Sequence, residues 1–123
     1  MDLRKPKTRF GMKRYGSVVQ VKPDKLQEYV RLHEDVWPDV LKMITQCNIR
    51  NYSIYLRKLP DGQHYLFSYF EYVGKDFAAD MATMAADPTT QRWWAVCKPC
   101  HEPFPDRAEG EWWAGMEEVF HHD

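Results

Sequence analysis

Polar and apolar residues alternate from Lys13 to Lys22, with Tyr15, Ser17, Val19 and Val21 facing one way and Gly16, Val18 and Gln20 the other. A period of two over this length predicts a strand. Pro23 and Asp24 end it, and Asp24 is placed to cap the helix that follows. The period then changes, and Leu26, Tyr29, Val30 and His33 form one helical stripe. Pro38 interrupts that helix, because its ring removes a backbone donor and crowds the carbonyl of Glu34. A break is expected between about Glu34 and Trp37, with Pro38 opening a new helix that carries Val40, Leu41 and Ile44 to about Cys47.

Period two returns from Asn48 to Lys58, with Tyr52, Ile54 and Leu56 on one face and Asn51, Ser53 and Tyr55 on the other. Leu59-Pro-Asp-Gly-Gln63 is a turn, since Pro fixes φ and Asp-Gly tolerates positive φ. His64 to Val73 is the next strand, which makes an antiparallel hairpin. A helix is expected over Asp76 to Ala86 with Phe77, Met81 and Met84 inward. Asp87-Pro88 interrupts it, and Thr89 or Thr90 is placed to cap a further helix to about Lys98. Pro99 to Glu111 reads as a loop and Gly115 to His121 as a last strand. The order β-α-β-β-α-β is the ferredoxin-like α+β arrangement, an antiparallel four-stranded sheet with helices on one face. The other face needs a cover, and a second copy of the chain is the expected one, giving a dimeric α/β-barrel. Residues 1–12, with Arg4, Lys5, Lys7 and Arg9 and little to bury, are expected to form a flexible basic extension to a single domain over residues 13–123.

Composition narrows the class. The 123 residues suit one domain with a modest core. A net charge of −1 argues against a nucleic-acid binder, and no apolar run nears the ~18 residues of a membrane span. Three cysteines without a secretory leader point to reduced thiols in the cytoplasm. Cys97-Lys-Pro-Cys100-His101 has the spacing of haem attachment, of a redox pair or of part of a zinc site. Haem attachment belongs outside the cytoplasm, a redox pair opens a helix where this one closes it, and a structural zinc needs a fourth ligand. No metal and no cofactor are expected. His121-His122-Asp123 reads as a solvent-exposed chain end.

The aromatic share of 15% is unusual. It fills a core or lines a pocket that stacks on flat sugar or base faces. Tyr29 and His33, four apart, put an imidazole among aromatic and apolar neighbours near a helix end. A single His on an apolar face is most often a hydrogen-bonded core residue. Trp93 and Trp94, beside Gln91 and Arg92, lie about 100° apart on a helix, so one fills the core while the other lines a cleft. Trp112-Trp113 repeats the pair in a loop setting.

These residues together resemble the L-rhamnose mutarotase family, small dimeric ferredoxin-like proteins that interconvert the anomers of a free sugar, with close members acting on L-fucose. The resemblance spans about Lys13 to Phe120. It rests on Val19-Gln-Val-Lys-Pro-Asp24, Tyr29-x-x-x-His33-x-x-x-Trp37-Pro38, Asn51-Tyr-x-Ile-Tyr-Leu56, Gln91-Arg-Trp-Trp94 and Glu118-Val-Phe120. It implies that His33 is the catalytic acid and that Tyr29, Tyr52, Trp93 and Trp94 bind the sugar. It also implies a cofactor-free reaction and a homodimer. The chain departs from bacterial rhamnose enzymes in the basic extension, a longer Lys58 to His64 turn, and a longer Pro99 to Trp113 segment with extra tryptophans. Other readings of such a fold are a small monooxygenase, a non-catalytic sugar binder, or an RNA-stacking sheet; the last lacks a basic surplus.

Overall fold

A computed structural model describes Thr8, Arg9 and residues 11–123. Its elements are β1 (Thr8–Arg9), β2 (Met12–Val21), α1 (Leu26–Glu34), α2 (Pro38–Gln46), β3 (Ile49–Lys58), β4 (His64–Tyr72), α3 (Phe77–Ala86), α4 (Pro88–Cys97), β5 (His101–Glu102) and β6 (Ala114–Met116). The protein is α+β, with an antiparallel curled sheet and its helices packed on one face, as a ferredoxin-like fold requires. The flexible extension expected over residues 1–12 falls largely on residues 1–7 and 10, outside the described residues; Thr8 and Arg9 pair with Lys13 and Met12.

β2 and β4 are the central strands, paired antiparallel along their whole length, and β3 flanks β4. The opposite edge of β2 is filled piecewise. Thr8–Arg9 lies opposite Lys13 and Met12, Ala114–Met116 opposite Val18 to Gly16, and His101–Glu102 opposite Val21 and Gln20. Two features therefore differ from the sequence reading. His101–Glu102 forms a ladder inside a stretch expected to be a loop, because the buried end of β2 still needs hydrogen-bond partners. The last strand stops at Met116, where the expected one ran to His121.

On the helix-facing side, Val19 and Val21 are fully buried with Leu66, Tyr29 and Cys100. Tyr15 stacks on Phe70 and Phe77, which ties α3 to the sheet. Two further clusters join the helices. Val40, Trp93 and Cys97 pack α2 on α4, while Cys47, Ile49 and Met84 bring in α3. The α1 stripe is rotated from the expected one: Val30 is exposed, whereas Leu32 and Val36 pack on the Val40 cluster. Leu41 also points outward.

The caps are another correction. Asp24 caps nothing; a 3-10 turn over Pro23–Lys25 leads into α1 with no side-chain cap. Asp87, not Thr89 or Thr90, caps α4. Its carboxylate accepts from the Thr90 backbone N–H at 2.9 Å and from the Thr90 hydroxyl at 2.8 Å. The same residue closes α3, so a single aspartate serves the junction of two helices. Asp87→Ala should cost about 1–2 kcal/mol, because a cap is lost and the buried Thr90 hydroxyl is stranded. Asp24→Ala should stay within about 0.5 kcal/mol of wild type. Urea unfolding of the two variants checks the contrast.

Candidate active site

The chain enters the site through the break between α1 and α2. Trp37 adopts φ −58° and ψ 131°, the extended conformation imposed on a residue before proline, and Pro38 opens α2. α1 therefore ends at Glu34, one residue beyond His33. One turn back along α1, the Tyr29 carbonyl oxygen lies 2.9 Å from His33 Nδ1, beyond its part in the helix ladder. A carbonyl only accepts, so Nδ1 carries the hydrogen and donates it. The neutral ring then keeps its lone pair on Nε2.

Aromatic rings hold the imidazole from several sides. Tyr29 stacks on it at 4.2 Å between ring centroids, and Trp93 meets it edge-on at 5.2 Å. Trp37 meets Trp93 edge-on in turn, also at 5.2 Å. Burial in this apolar setting pulls the His33 pKa down and outweighs the bond to the Tyr29 carbonyl, which favours the charged form. The imidazole therefore rests neutral at physiological pH.

Tyr52 reaches the same place from β3. The strand carries a bulge between Arg50 and Ser53, with Asn51 at φ +51°. A bulge re-aims the side chain beside it. Asn51 secures it through a 2.8 Å bond to the Glu71 carboxylate of β4. Tyr52 is 43% exposed as a residue, yet burial pushes its hydroxyl up to about 12. Burial, and next the neighbouring Tyr52, push the Tyr29 hydroxyl well above the ordinary tyrosine range. Both stay protonated at neutral pH. Neither hydroxyl has a hydrogen-bond partner among the described residues, and Tyr52 is the one of the two that lines a cleft.

His33, Tyr52 and Trp93 line one cleft of about 480 Å³, walled on its apolar side by Val36, Val40, Leu41 and Ile44. Thr45, Arg50 and Asn51 form a polar rim. Tyr29 stands behind the imidazole and is almost fully buried. Trp94 faces elsewhere. It borders a wider groove of about 640 Å³ with Lys22, Gln91, Lys98, His101 and Trp112. There the Lys98 ammonium lies 5.2 Å from both the Trp94 and Trp112 ring centroids. The two neighbouring indoles thus divide the work of one helix: Trp93 is 7% exposed at the His33 cleft, and Trp94 is half-buried at the groove. The wider groove is open to solvent and lacks a neutral imidazole with a free lone pair, so the smaller cleft is the candidate for chemistry.

The cleft carries a base of modest strength, uncharged hydrogen-bonding phenols and an apolar wall. That set moves protons on a neutral polyhydroxylated ligand. Cys97 and Cys100 add no nucleophile: burial pushes the Cys97 thiol up to about 12 and raises Cys100 as well. The sequence weighs His101 only as the end of the Cys97–His101 motif; its ring lies 5.1 Å from that of Tyr29 and accepts a 2.9 Å bond from Trp112. Its signal was present in the second tryptophan pair, but no local pattern links residues 101 and 29.

The family described as L-rhamnose mutarotase matches residues 14–122. An L-rhamnose mutarotase of Oceanobacillus iheyensis is 32% identical over 112 residues, covering 91% of this chain and all of that one. One from Phocaeicola vulgatus is 31% identical with the same coverage. The crystal structure of an L-rhamnose mutarotase from Formosa agariphila superposes with a TM-score of 0.66 at 19% identity, over 89% of this chain and 98% of that one. A NIPSNAP family protein from Agrobacterium tumefaciens does so at 0.58 and 16% identity, over 78% and 82%. At these identities the structural likeness is one of fold.

The His33 geometry yields a titration that nitrogen NMR reads. At neutral pH the proton should sit on Nδ1, and the midpoint should lie below the ordinary 6.5. A midpoint above 6.5, or an Nε2–H tautomer, contradicts the geometry.

Proposed function

From the premise that the chain belongs to the L-rhamnose mutarotase family, and is an aldose mutarotase, we propose that it interconverts the α and β anomers of free L-rhamnose in the His33 cleft. The observation that carries this reading is the lock on His33. Its Nδ1–H is held by the Tyr29 carbonyl, so a neutral Nε2 is left at the wall of the cleft.

Mutarotation opens a hemiacetal and closes it on the other carbonyl face. In the opening step His33 Nε2 takes the proton of the anomeric hydroxyl as the C1–O5 bond breaks. The imidazolium then gives that proton to O5, and an aldehyde and a free hydroxyl result. Rotation about C1–C2 turns the opposite face to O5, and the same steps run backwards. The proton is returned and no electron is transferred, so His33 ends as it began. The Nδ1 bond to the carbonyl strengthens when the ring is charged, which steadies the imidazolium while it exists. Tyr52 donates to a sugar hydroxyl, and Trp93 packs the apolar sugar face. Tyr29 orients the imidazole from behind, and Trp94 supports Trp93 from the next groove.

The apolar wall of Val36, Val40, Leu41 and Ile44 suits the 6-methyl group of a deoxy sugar. A 6-hydroxyl buried there finds no polar partner. A hydroxyl-for-hydrogen change in an apolar pocket is worth at most ~100-fold, so L-mannose should be slower than L-rhamnose by up to that factor. L-Fucose shares the methyl group and is the competing substrate.

The working unit in this reading is a homodimer formed through the outer sheet face. Val18, Phe67 and Tyr69 lie there, with Tyr55 65% exposed beside them. Val119 and Phe120 are also exposed. Sedimentation should give twice the 14.7 kDa chain mass, and Tyr55→Glu should shift it toward one copy. The cytoplasm is the proposed compartment, in keeping with three buried free thiols.

Saturation-transfer NMR of the anomeric protons tests the activity. Exchange above the buffer rate is expected for L-rhamnose, reduced roughly 100- to 10,000-fold in His33→Ala. Equal rates in variant and wild type would remove His33 from the mechanism. No acceleration by the folded protein for either deoxy sugar would refute the activity.

A further inference from the structure

His101 is the polar side chain that the mechanism leaves unused. It is 5% exposed, paired through its backbone with Val21, and its ring lies 5.1 Å from that of Tyr29. Tyr29 is therefore in ring contact with two imidazoles, those of His33 and His101. Trp113 meets His101 edge-on at 5.3 Å and completes the enclosure.

The tautomer of His101 follows from one bond. The Trp112 indole donates its Nε1–H to His101 Nδ1 at 2.9 Å. An indole only donates, so Nδ1 is the lone-pair nitrogen and the hydrogen sits on Nε2. That Nε2–H is buried and has no partner among the described residues. A donor so placed is costly unless something accepts from it. Burial drives the His101 pKa down to about 4, and the nearby His33 and Lys98 push the same way. His101 thus stays neutral while His33 titrates, and cannot take the proton that His33 shuttles.

The nearby Tyr29 ring, 5.1 Å away between centroids, carries a hydroxyl that also has no partner among the described residues. After burial, Tyr52 is the next influence that raises the Tyr29 hydroxyl. We propose that His101 is a positioning residue of the sugar site: locked by Trp112, it donates from Nε2–H to the Tyr29 hydroxyl and so turns that hydroxyl's own proton toward Tyr52 and the sugar. A hydroxyl that accepts on one side donates on the other, so the polarity of the chain is set at Trp112 and runs through His101, Tyr29 and Tyr52 into the cleft. The Pro99 to Trp113 segment becomes part of the site by this route, although neither His101 nor Trp112 lines the His33 cleft.

The assignment rests on the mutarotase reading, and three substitutions at one position separate it from simple packing. His101→Gln keeps an N–H where Nε2 lies. His101→Asn keeps a polar atom only near the Nδ1 position. His101→Phe keeps the ring and the volume but neither nitrogen. Anomeric exchange with L-rhamnose should leave kcat of the Gln variant within about threefold of wild type, while Asn and Phe lose about tenfold with little change in KM, the size of one hydrogen bond. Trp112→Phe, at a half-buried position that tolerates the change, releases the tautomer and should lower kcat in the same direction.

A Phe variant as active as wild type, or a Gln variant as poor as Phe, would overturn the proposal, since shape alone would then matter. Full activity in Trp112→Phe would overturn it as well. If the position-101 variants fail to fold, Trp112→Phe decides alone. Wild-type protein that accelerates no exchange defeats the mutarotase reading first, and this assignment with it. An active wild type leaves the variant pattern to judge His101 by itself.

Discussion

The bond from His33 Nδ1 to the Tyr29 carbonyl fixes which nitrogen of the imidazole meets the cleft, and the site depends on it. Tyr29 and His33 stand one turn apart on α1, so the imidazole folds back onto that carbonyl. Pro38 forces Trp37 out of helical geometry and α1 stops at Glu34, which leaves His33 near the helix end, at the wall of the cleft. The stack of Tyr29 and the edge of Trp93 then leave the ring little freedom to flip.

The sheet serves the same end from the other side. β3 brings Tyr52 to the cleft only because its bulge, with Asn51 in the left-handed region, changes the local alternation. β2 holds the back of the site through Val19 and Val21, which pack under Tyr29. Its outer edge is satisfied by three short pieces, and one of them, His101–Glu102, brings an imidazole into ring contact with Tyr29.

Much of the fold was legible because its signals are periodic and local. Tyr15 to Val21 and Tyr52 to Leu56 alternate cleanly, and Pro38, Pro60-Asp-Gly62 and Asp87-Pro88 punctuate where the elements do end. What escaped was set by tertiary demand. A two-residue strand at His101 has no period to detect, and Pro99 and Pro103 on either side read as loop. Val30 and Leu32 are equally apolar, so only the direction from which α2 packs decides which is buried. Asp87 displaced the threonines as the cap because the helix begins at Pro88, which makes Asp87 the preceding residue. The site was legible in part. Tyr29 and His33 are four apart on one helix, and their stacking follows from that spacing. The meeting of His33 with Tyr52 and Trp93 is long-range, and residue types alone do not foretell it; the resemblance to a family named those positions. The link from Trp112 through His101 was hidden for the same reason.

The central claim is that the sugar sits against His33 and not in the wider groove beside Trp94. A crystal structure with L-rhamnose bound tests it most directly. The account predicts His33 Nε2 within hydrogen-bond reach of the O1–O5 edge, with the 6-methyl group against the wall of Val40, Leu41 and Ile44. A sugar seated between Trp94 and Trp112, with the His33 cleft left to solvent, would contradict it.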